Sequence, residues 1–545
     1  MKIVVAQINP IVGDLAGNTG KILQSLESAR QRQADLVLFS ELAICGYPPE
    51  DFVFHHAFLE SIELHLERIV QASAGLAVVV GLVRKNTGAG EKHLLNSAAV
   101  IDDQKIVGFQ DKWLLPNYDL FDERRYFEPG EKIAPWKVNN KAVGLVICED
   151  IWQHAGYVDT RYQRDPIAEL AHHKLDVLIN LAASPYQLQK PDLRVKVCSK
   201  AAQMLQCPVV MCCQVGANGP IIFDGYSIYV NANGKLCQLG AGFHEDEMLI
   251  DLNAKTCPCP FKYDFMYNLL HALILGVRDY CLKSGFSKAC LGLSGGIDSS
   301  LVAYIAAQAL GPENVLGISM PSPYTQPGSQ NDAKELAERL AIRFLEIPIE
   351  RPFHQLTELL DPYFEGKKWD TTEENLQARI RGMILMALSN KHGYIVLSTG
   401  NKSEIALGYT TLYGDMCGGL GVIADVLKTK VFDLCRYINR LEQREIVLES
   451  IIARAPSAEL RPGQKDLDSL PEYGIVDKVL QGYIEDYLSI DEITEKYTID
   501  RDLVVSLIRK MHAAEYKRHQ SPPILRVSKK SFGVGRQYPI VQKWL

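Results

Sequence analysis

No stretch of this 545-residue chain is apolar for long enough to cross a bilayer, and its start, MKIVVAQINP, reads as a β-strand rather than a secretory leader. A cytoplasmic protein with no membrane partner is the expectation. Positive charge is not in excess: 58 Lys and Arg stand against 65 Asp and Glu, a formal net charge of −7. That excludes the broad basic footprint of a nucleic-acid binder, EYKRHQ (515–520) being a local exception, and leaves small anionic substrates in need of a focused positive site. Thirteen cysteines occur without a pair of CxxC elements, and neither CPCP (257–260) nor the adjacent Cys212 and Cys213 has zinc-site spacing. Most are expected to be reduced, buried thiols. Internal repeats and low-complexity tracts are also missing.

What is present is alternation. The length calls for two or more domains. In the first half, apolar segments such as KIVVAQI, ADLVLFSE, LAVVVGLV, KAVGLVICED, LDVLINLA and PVVMCCQVG read as strands covered on both faces. TGKILQSLESARQRQ and PDLRVKVCSKAAQML between them read as amphipathic helices. The pattern breaks at NAKTCPCPFKYDF (253–265), which divides the chain into expected domains 1–255 and 256–545. Beyond it, KACLGLS, NVLGISM, RFLEIPI and YIVLSTG alternate with helices, the βαβ order of a doubly wound parallel sheet that binds ligands at its strand carboxyl ends.

One such end is GLSGGIDSS (292–300). Gly295 and Gly296 allow close backbone approach, Ser294, Ser299 and Ser300 offer hydroxyls, and the following helix presents unpaired N–H groups to an anion. A lone SGG is more often an ordinary helix cap; the strand before and the helix after make it an anion seat. The Walker lysine is missing, and Asp298 stands ready to ligate Mg²⁺ carried by a triphosphate. The first half holds three strand-end residues of complementary chemistry: Glu41, Lys112 and Cys148. A thiolate attacks an amide carbonyl, a carboxylate moves the proton, and an ammonium stabilises the anionic intermediate and lowers the thiol pKa. Each alone is unremarkable, since cysteines are commonly buried and single charges commonly solvated.

SGGIDSS resembles the PP-loop of ATP pyrophosphatases, which cleave ATP between the α- and β-phosphates. With EENLQARIRG (373–382), LSTGNKSEIALGYTTLYGD (397–415), LRPGQKDLDSLPEY (460–473) and EYKRHQSPP (515–523), the second half is similar to the NAD synthetase family. The resemblance implies a Rossmann-like ATP pyrophosphatase domain with ATP, as co-substrate, on Gly292, Leu293, Ser294, Gly295, Gly296, Ile297, Asp298, Ser299 and Thr399. It implies Mg²⁺ on Asp298 and Glu404, and the dinucleotide substrate on Asn375, Glu404 and Lys517. Lys428 is expected near the phosphates, and Arg379 and Arg381 are further candidates. The contexts of Glu41, Lys112 and Cys148 resemble the triad of the nitrilase superfamily across roughly residues 1–250. That likeness implies a four-layer αββα sandwich acting as a glutaminase, with Glu41 as general base, Lys112 as oxyanion-side cation and Cys148 as nucleophile. Tyr118, Ser184 and Lys190 match glutamine-binding positions, with Tyr47 as pocket wall and Glu149 as an added pocket carboxylate.

Joined, the halves imply glutamine-dependent amidation of nicotinic acid adenine dinucleotide to NAD⁺ through an adenylate, with ammonia passing along a channel. Family enzymes associate through the synthetase domain, so a homo-oligomer built on dimers is expected. Three alternatives stay open on the sequence: another PP-loop amidotransferase, an uncoupled amidase joined to an ATPase, and a noncatalytic nucleotide-binding scaffold.

Overall fold

The computed structural model describes residues 1–157, 162–255, 257–468 and 470–544. Residue 256, in the expected linker, and residue 469, within LRPGQKDLDSLPEY, lie outside them. The chain forms two compact units, Met1–Phe265 and Met266–Leu545.

The first unit is an αββα sandwich. One sheet runs, in spatial order, Asp246–Asp251, Lys2–Gln7, Leu36–Leu38, Ala77–Lys85, Leu94–Asp102, Lys105–Asp111. The other runs Leu236–Leu239, Ile228–Val230, Val209–Cys213, Val177–Ala182, Lys141–Ile147, Trp136–Val138. Successive side chains of a strand face opposite ways, so the apolar run of Lys2–Gln7 serves two cores. Ile3 and Val5 join Leu36, Leu38 and Val79 in packing against Leu145, Ile147, Val177 and Ile179 of the second sheet. Val4 and Ala6 join Val37, Phe39 and Val78 under Ile22 and Leu26 of helix Leu15–Gln31 and under Ile62 and Leu66 of helix His56–Ala72. Helix Lys190–Leu205 covers the outside of the second sheet.

The second unit contains a five-stranded parallel sheet in the order Arg343–Glu346, Val315–Ser319, Ala289–Gly292, Ile395–Ser398, Leu420–Gly421. The chain order reverses between Ala289–Gly292 and Ile395–Ser398. This is the topological switch point, where the diverging loops of an open α/β sheet leave a crevice.

Candidate active sites

In the first unit Glu41, Lys112 and Cys148 each follow a strand: Leu36–Leu38, Lys105–Asp111 and Lys141–Ile147. The loop carrying Glu41 passes so close to Gly81 that a Cβ there would lie 2.3 Å from the Leu42 nitrogen. Lys112 Nζ donates to Glu41 Oε1 at 2.7 Å and to Glu123 Oε1 at 2.8 Å, all three side chains being buried. Asn96 Nδ2 donates to Glu41 Oε1 at 2.8 Å, the Ala183 N–H to Glu41 Oε2 at 3.0 Å, and the Tyr47 hydroxyl to Glu123 at 2.9 Å.

Burial works against the charged form of Lys112, but Glu123 and Glu41 outweigh it and hold the ammonium well above its ordinary pKa. Burial also pushes Glu123 up to about 7, Lys112 opposing and Glu41 adding to the rise. The Cys148 thiol is raised well above the cysteine range by burial first and Glu41 second, with Lys112 opposing. Lys112 therefore acts in the expected direction without winning. Cys148 rests as a neutral thiol and needs a base at the moment of attack.

Cys148 has φ +44°, and Asn180 holds its peptide: Oδ1 accepts the Cys148 N–H at 2.9 Å and Nδ2 donates to its carbonyl at 3.3 Å. Beside it, Glu149 Oε1 accepts from the hydroxyls of Tyr118 at 2.8 Å and Tyr162 at 3.0 Å. Burial raises the Glu149 carboxyl. Lys190 Nζ stands 4.6 Å from the Trp152 ring centre, and Ser184 is buried next to Ala183. Tyr118 thus meets Glu149, the residue after the cysteine, and Glu123, Asn96, Asn180 and Tyr162 contact Glu41, Lys112, Cys148 or Glu149 in addition. Of these Glu123 lies at the end of QDKWLLPNYDLFDE and Asn180 within the strand segment LDVLINLA, neither marked there as a site residue.

In the second unit the glycine loop and Thr399 end the two strands at the switch point and open on a cavity of about 320 Å³. All of Gly292, Leu293, Ser294, Gly295, Gly296, Ile297, Asp298, Ser299, Thr399 and Glu404 line it, with Arg381, Lys428 and Arg454. Gly295 has φ +76°, and a Cβ there would lie 2.1 Å from the Ser329 carbonyl oxygen. The Ser299 and Ser300 hydroxyls donate to the Gly296 carbonyl at 3.0 and 2.8 Å, tightening the start of helix Ile297–Leu310.

Asp298 accepts from Asn401 Nδ2 at 2.9 Å and from Lys428 Nζ, which also donates to Glu404 Oε1 at 3.0 Å. Asn401 and Glu404 cap helix Lys402–Leu407 reciprocally. Burial pushes Glu404 up to about 7, Lys428 pulling it down and Asp298 pushing it further up. Two carboxylates converging on one cation suit Mg²⁺, which takes one or two carboxylates and completes its shell with phosphate and water. Among the described residues no group of three or more His, Cys, Asp or Glu is placed to hold a metal.

Asn375 and Lys517 do not line this cavity. They converge beside it on residues 408–411: Asn375 Oδ1 accepts from the Thr411 hydroxyl at 2.7 Å, and Lys517 Nζ donates to the carbonyls of Gly408 at 2.8 Å and Thr410 at 2.7 Å. Arg379 Nε donates to the Leu412 carbonyl and Arg381 Nε to that of Met320. Arg454, which no sequence motif marks, donates to the Gly295 carbonyl at 3.3 Å and to the Ser329 hydroxyl at 3.0 Å.

The carbon-nitrogen hydrolase family model matches residues 2–254 and the NAD synthase model residues 269–521. A glutamine-dependent NAD(+) synthetase of Synechocystis sp. is 43% identical, over 99% of this chain and 98% of its own. One from Thermotoga maritima is 40% identical, over 100% and 99%. The solved glutamine-dependent NAD+ synthetase of Acinetobacter baumannii, in complex with ADP, superposes with a TM-score of 0.79 at 36% identity, covering 99% of this chain and 98% of that one.

Proposed function

The chain belongs to the family of glutamine-dependent NAD(+) synthetases, and from that premise we propose how its own residues divide the work. The reaction is the ATP-dependent amidation of nicotinic acid adenine dinucleotide with nitrogen from glutamine. One observation carries the division: the buried Glu41–Lys112 pair and Cys148 meet in one unit, while a loop-lined cavity with Asp298 and Glu404 opens in the other.

In the first unit Cys148 Sγ bonds to the glutamine amide carbon as Glu41 takes the thiol proton and returns it to the departing nitrogen. The C–N bond breaks and ammonia leaves. Water, activated by the same carboxylate, hydrolyses the thioester to glutamate and restores the thiol. Lys112 faces the oxyanion, its charge preserved by Glu41 and Glu123. Tyr118, Ser184 and Lys190 bind glutamine, with Glu149 beside them.

In the second unit the nicotinate carboxylate attacks the α-phosphorus of ATP, expelling pyrophosphate. Ammonia then attacks the acyl carbon of the adenylate, and AMP leaves. The glycine loop, the start of helix Ile297–Leu310, Lys428 and Arg454 offer donors to the phosphates. Mg²⁺ held by Asp298 and Glu404 would neutralise charge on the departing pyrophosphate. Asn375, Glu404 and Lys517 hold the dinucleotide. The protein works in the cytoplasm as a homo-oligomer built on synthetase-domain dimers.

The test is product analysis with ATP, Mg²⁺, nicotinic acid adenine dinucleotide and either glutamine or ammonia. Cys148→Ala abolishes glutamine-supported NAD⁺ formation and spares the ammonia-supported reaction. Equal loss of both in a folded variant would sink the division of labour.

A further inference from the structure

Lys112 and Cys148 follow strands of different sheets, so the ladder of neither sheet fixes the distance between them. One carboxylate joins the two loops directly through their backbones. Asp150, 1% exposed, accepts through Oδ1 from the backbone N–H groups of Trp113 at 3.0 Å and Leu114 at 2.8 Å. Through Oδ2 it accepts from the N–H of Ile147 at 3.0 Å. Trp113 and Leu114 directly follow the lysine, and Ile147 directly precedes the cysteine.

We propose that Asp150 is a positioning residue for glutamine hydrolysis, a staple that sets the Lys112 ammonium against the Cys148 thiol. Its described hydrogen bonds go to backbone N–H groups, through which it sets the geometry of the two loops, and its charge also acts on the Lys112 ammonium. This rests on the Glu41, Lys112 and Cys148 reading above. The left-handed backbone of Cys148 makes the staple matter. A nucleophile in a sparsely populated conformation keeps its aim only while its surroundings over-determine it. Asn180 fixes the cysteine's own peptide, and Asp150 joins the residue before it to the lysine loop.

Asp150→Asn isolates the link. An amide side chain has one accepting oxygen and one donating nitrogen. Turned one way it keeps Trp113 and Leu114 and sets its NH₂ against the Ile147 N–H; turned the other way it keeps Ile147 and loses the lysine loop. Either rotamer severs the staple with almost no change of volume.

In the full-length protein, kcat with glutamine should fall by about 10²-fold, the scale of a displacement of about 1 Å at a reacting centre, with KM for glutamine within about threefold. Ammonia-supported synthesis should stay within about twofold. The pH profile of iodoacetamide alkylation, followed on the Cys148 peptide by mass spectrometry, should shift, because the thiol no longer sits at its set distance from Lys112. Calorimetry in the Cys148→Ala background separates positioning from collapse: Asp150→Asn should leave glutamine affinity within about threefold. An unchanged kcat, an unmoved alkylation profile, or a larger loss of glutamine affinity would each overturn the assignment. Glutamine-supported synthesis surviving Cys148→Ala itself would instead remove the reading it rests on.

Discussion

Asn180 grips Cys148 by both ends of its peptide unit, accepting the N–H at 2.9 Å and donating to the carbonyl at 3.3 Å. Removing the amide takes the acceptor from the buried Cys148 N–H and one of the donors from its carbonyl, in a conformation costly for any residue but glycine. Asn180→Ala should destabilise the protein by about 1–3 kcal/mol in urea unfolding and slow glutamine hydrolysis. Unchanged stability would show that the clamp is dispensable.

In the proposed reaction Asp298 serves the ATP step, which both nitrogen sources share. Asp298→Asn should therefore lower pyrophosphate release with glutamine and with ammonia alike, by about 10²-fold, the scale of losing one preorganised electrostatic contact. A selective loss with glutamine would count against its place at the phosphates.

Gly295→Ala confronts the loop with its own geometry. An alanine at φ +76° costs about 1–2 kcal/mol. Its Cβ would also drive against the Ser329 carbonyl, which belongs to the backbone of helix Pro327–Arg339 and cannot swing aside. Affinity for a non-hydrolysable ATP analogue should drop in calorimetry while glutamine affinity holds. A nucleotide affinity equal to wild type would mean that the loop tolerates a side chain there.

Glu123 gives the glutaminase half a pH signature. Burial raises its folded pKa to about 7, above the ordinary glutamate value of 4.5. The neutral form is the one the fold favours, so its contribution is fully present below about 4.5 and is lost as the pH rises through about 7. Glu123→Gln stays neutral throughout. The wild-type Tm minus the Glu123→Gln Tm should therefore be larger at about pH 5 than at about pH 8. The opposite trend would show that pairing with Lys112 outweighs burial.

Glu41 and Cys148 were legible beyond the apolar strands Leu36–Leu38 and Lys141–Ile147, and Lys112, after the largely exposed strand Lys105–Asp111, through the likeness of its context to the nitrilase superfamily. Glu123 was not. It lies eleven residues beyond Lys112 at the start of the one-turn helix Glu123–Tyr126, and only the return of the chain past the lysine brings it into contact. The glycine loop was legible from its strand and helix. Asn401 and Arg454 reach it across 103 and 159 residues, distances at which local patterning carries no information. The strand Leu420–Gly421, only two residues long and directly after Gly418 and Gly419, has no period to read; its pairing with Leu397 and Ser398 is settled by its neighbours.

Lys2–Gln7 pairs antiparallel with Asp246–Asp251, Lys2 opposite Asp251, at one margin of the first sheet. The strand that covers the outer edge of Lys2–Gln7 is thus synthesised on the order of tens of seconds after it at ordinary elongation rates. Until then a run of Ile3, Val4 and Val5 stands as a bare, uncharged edge, the kind that recruits other chains. A folding intermediate that has not yet docked Asp246–Asp251 is therefore most prone to aggregate along Lys2–Gln7.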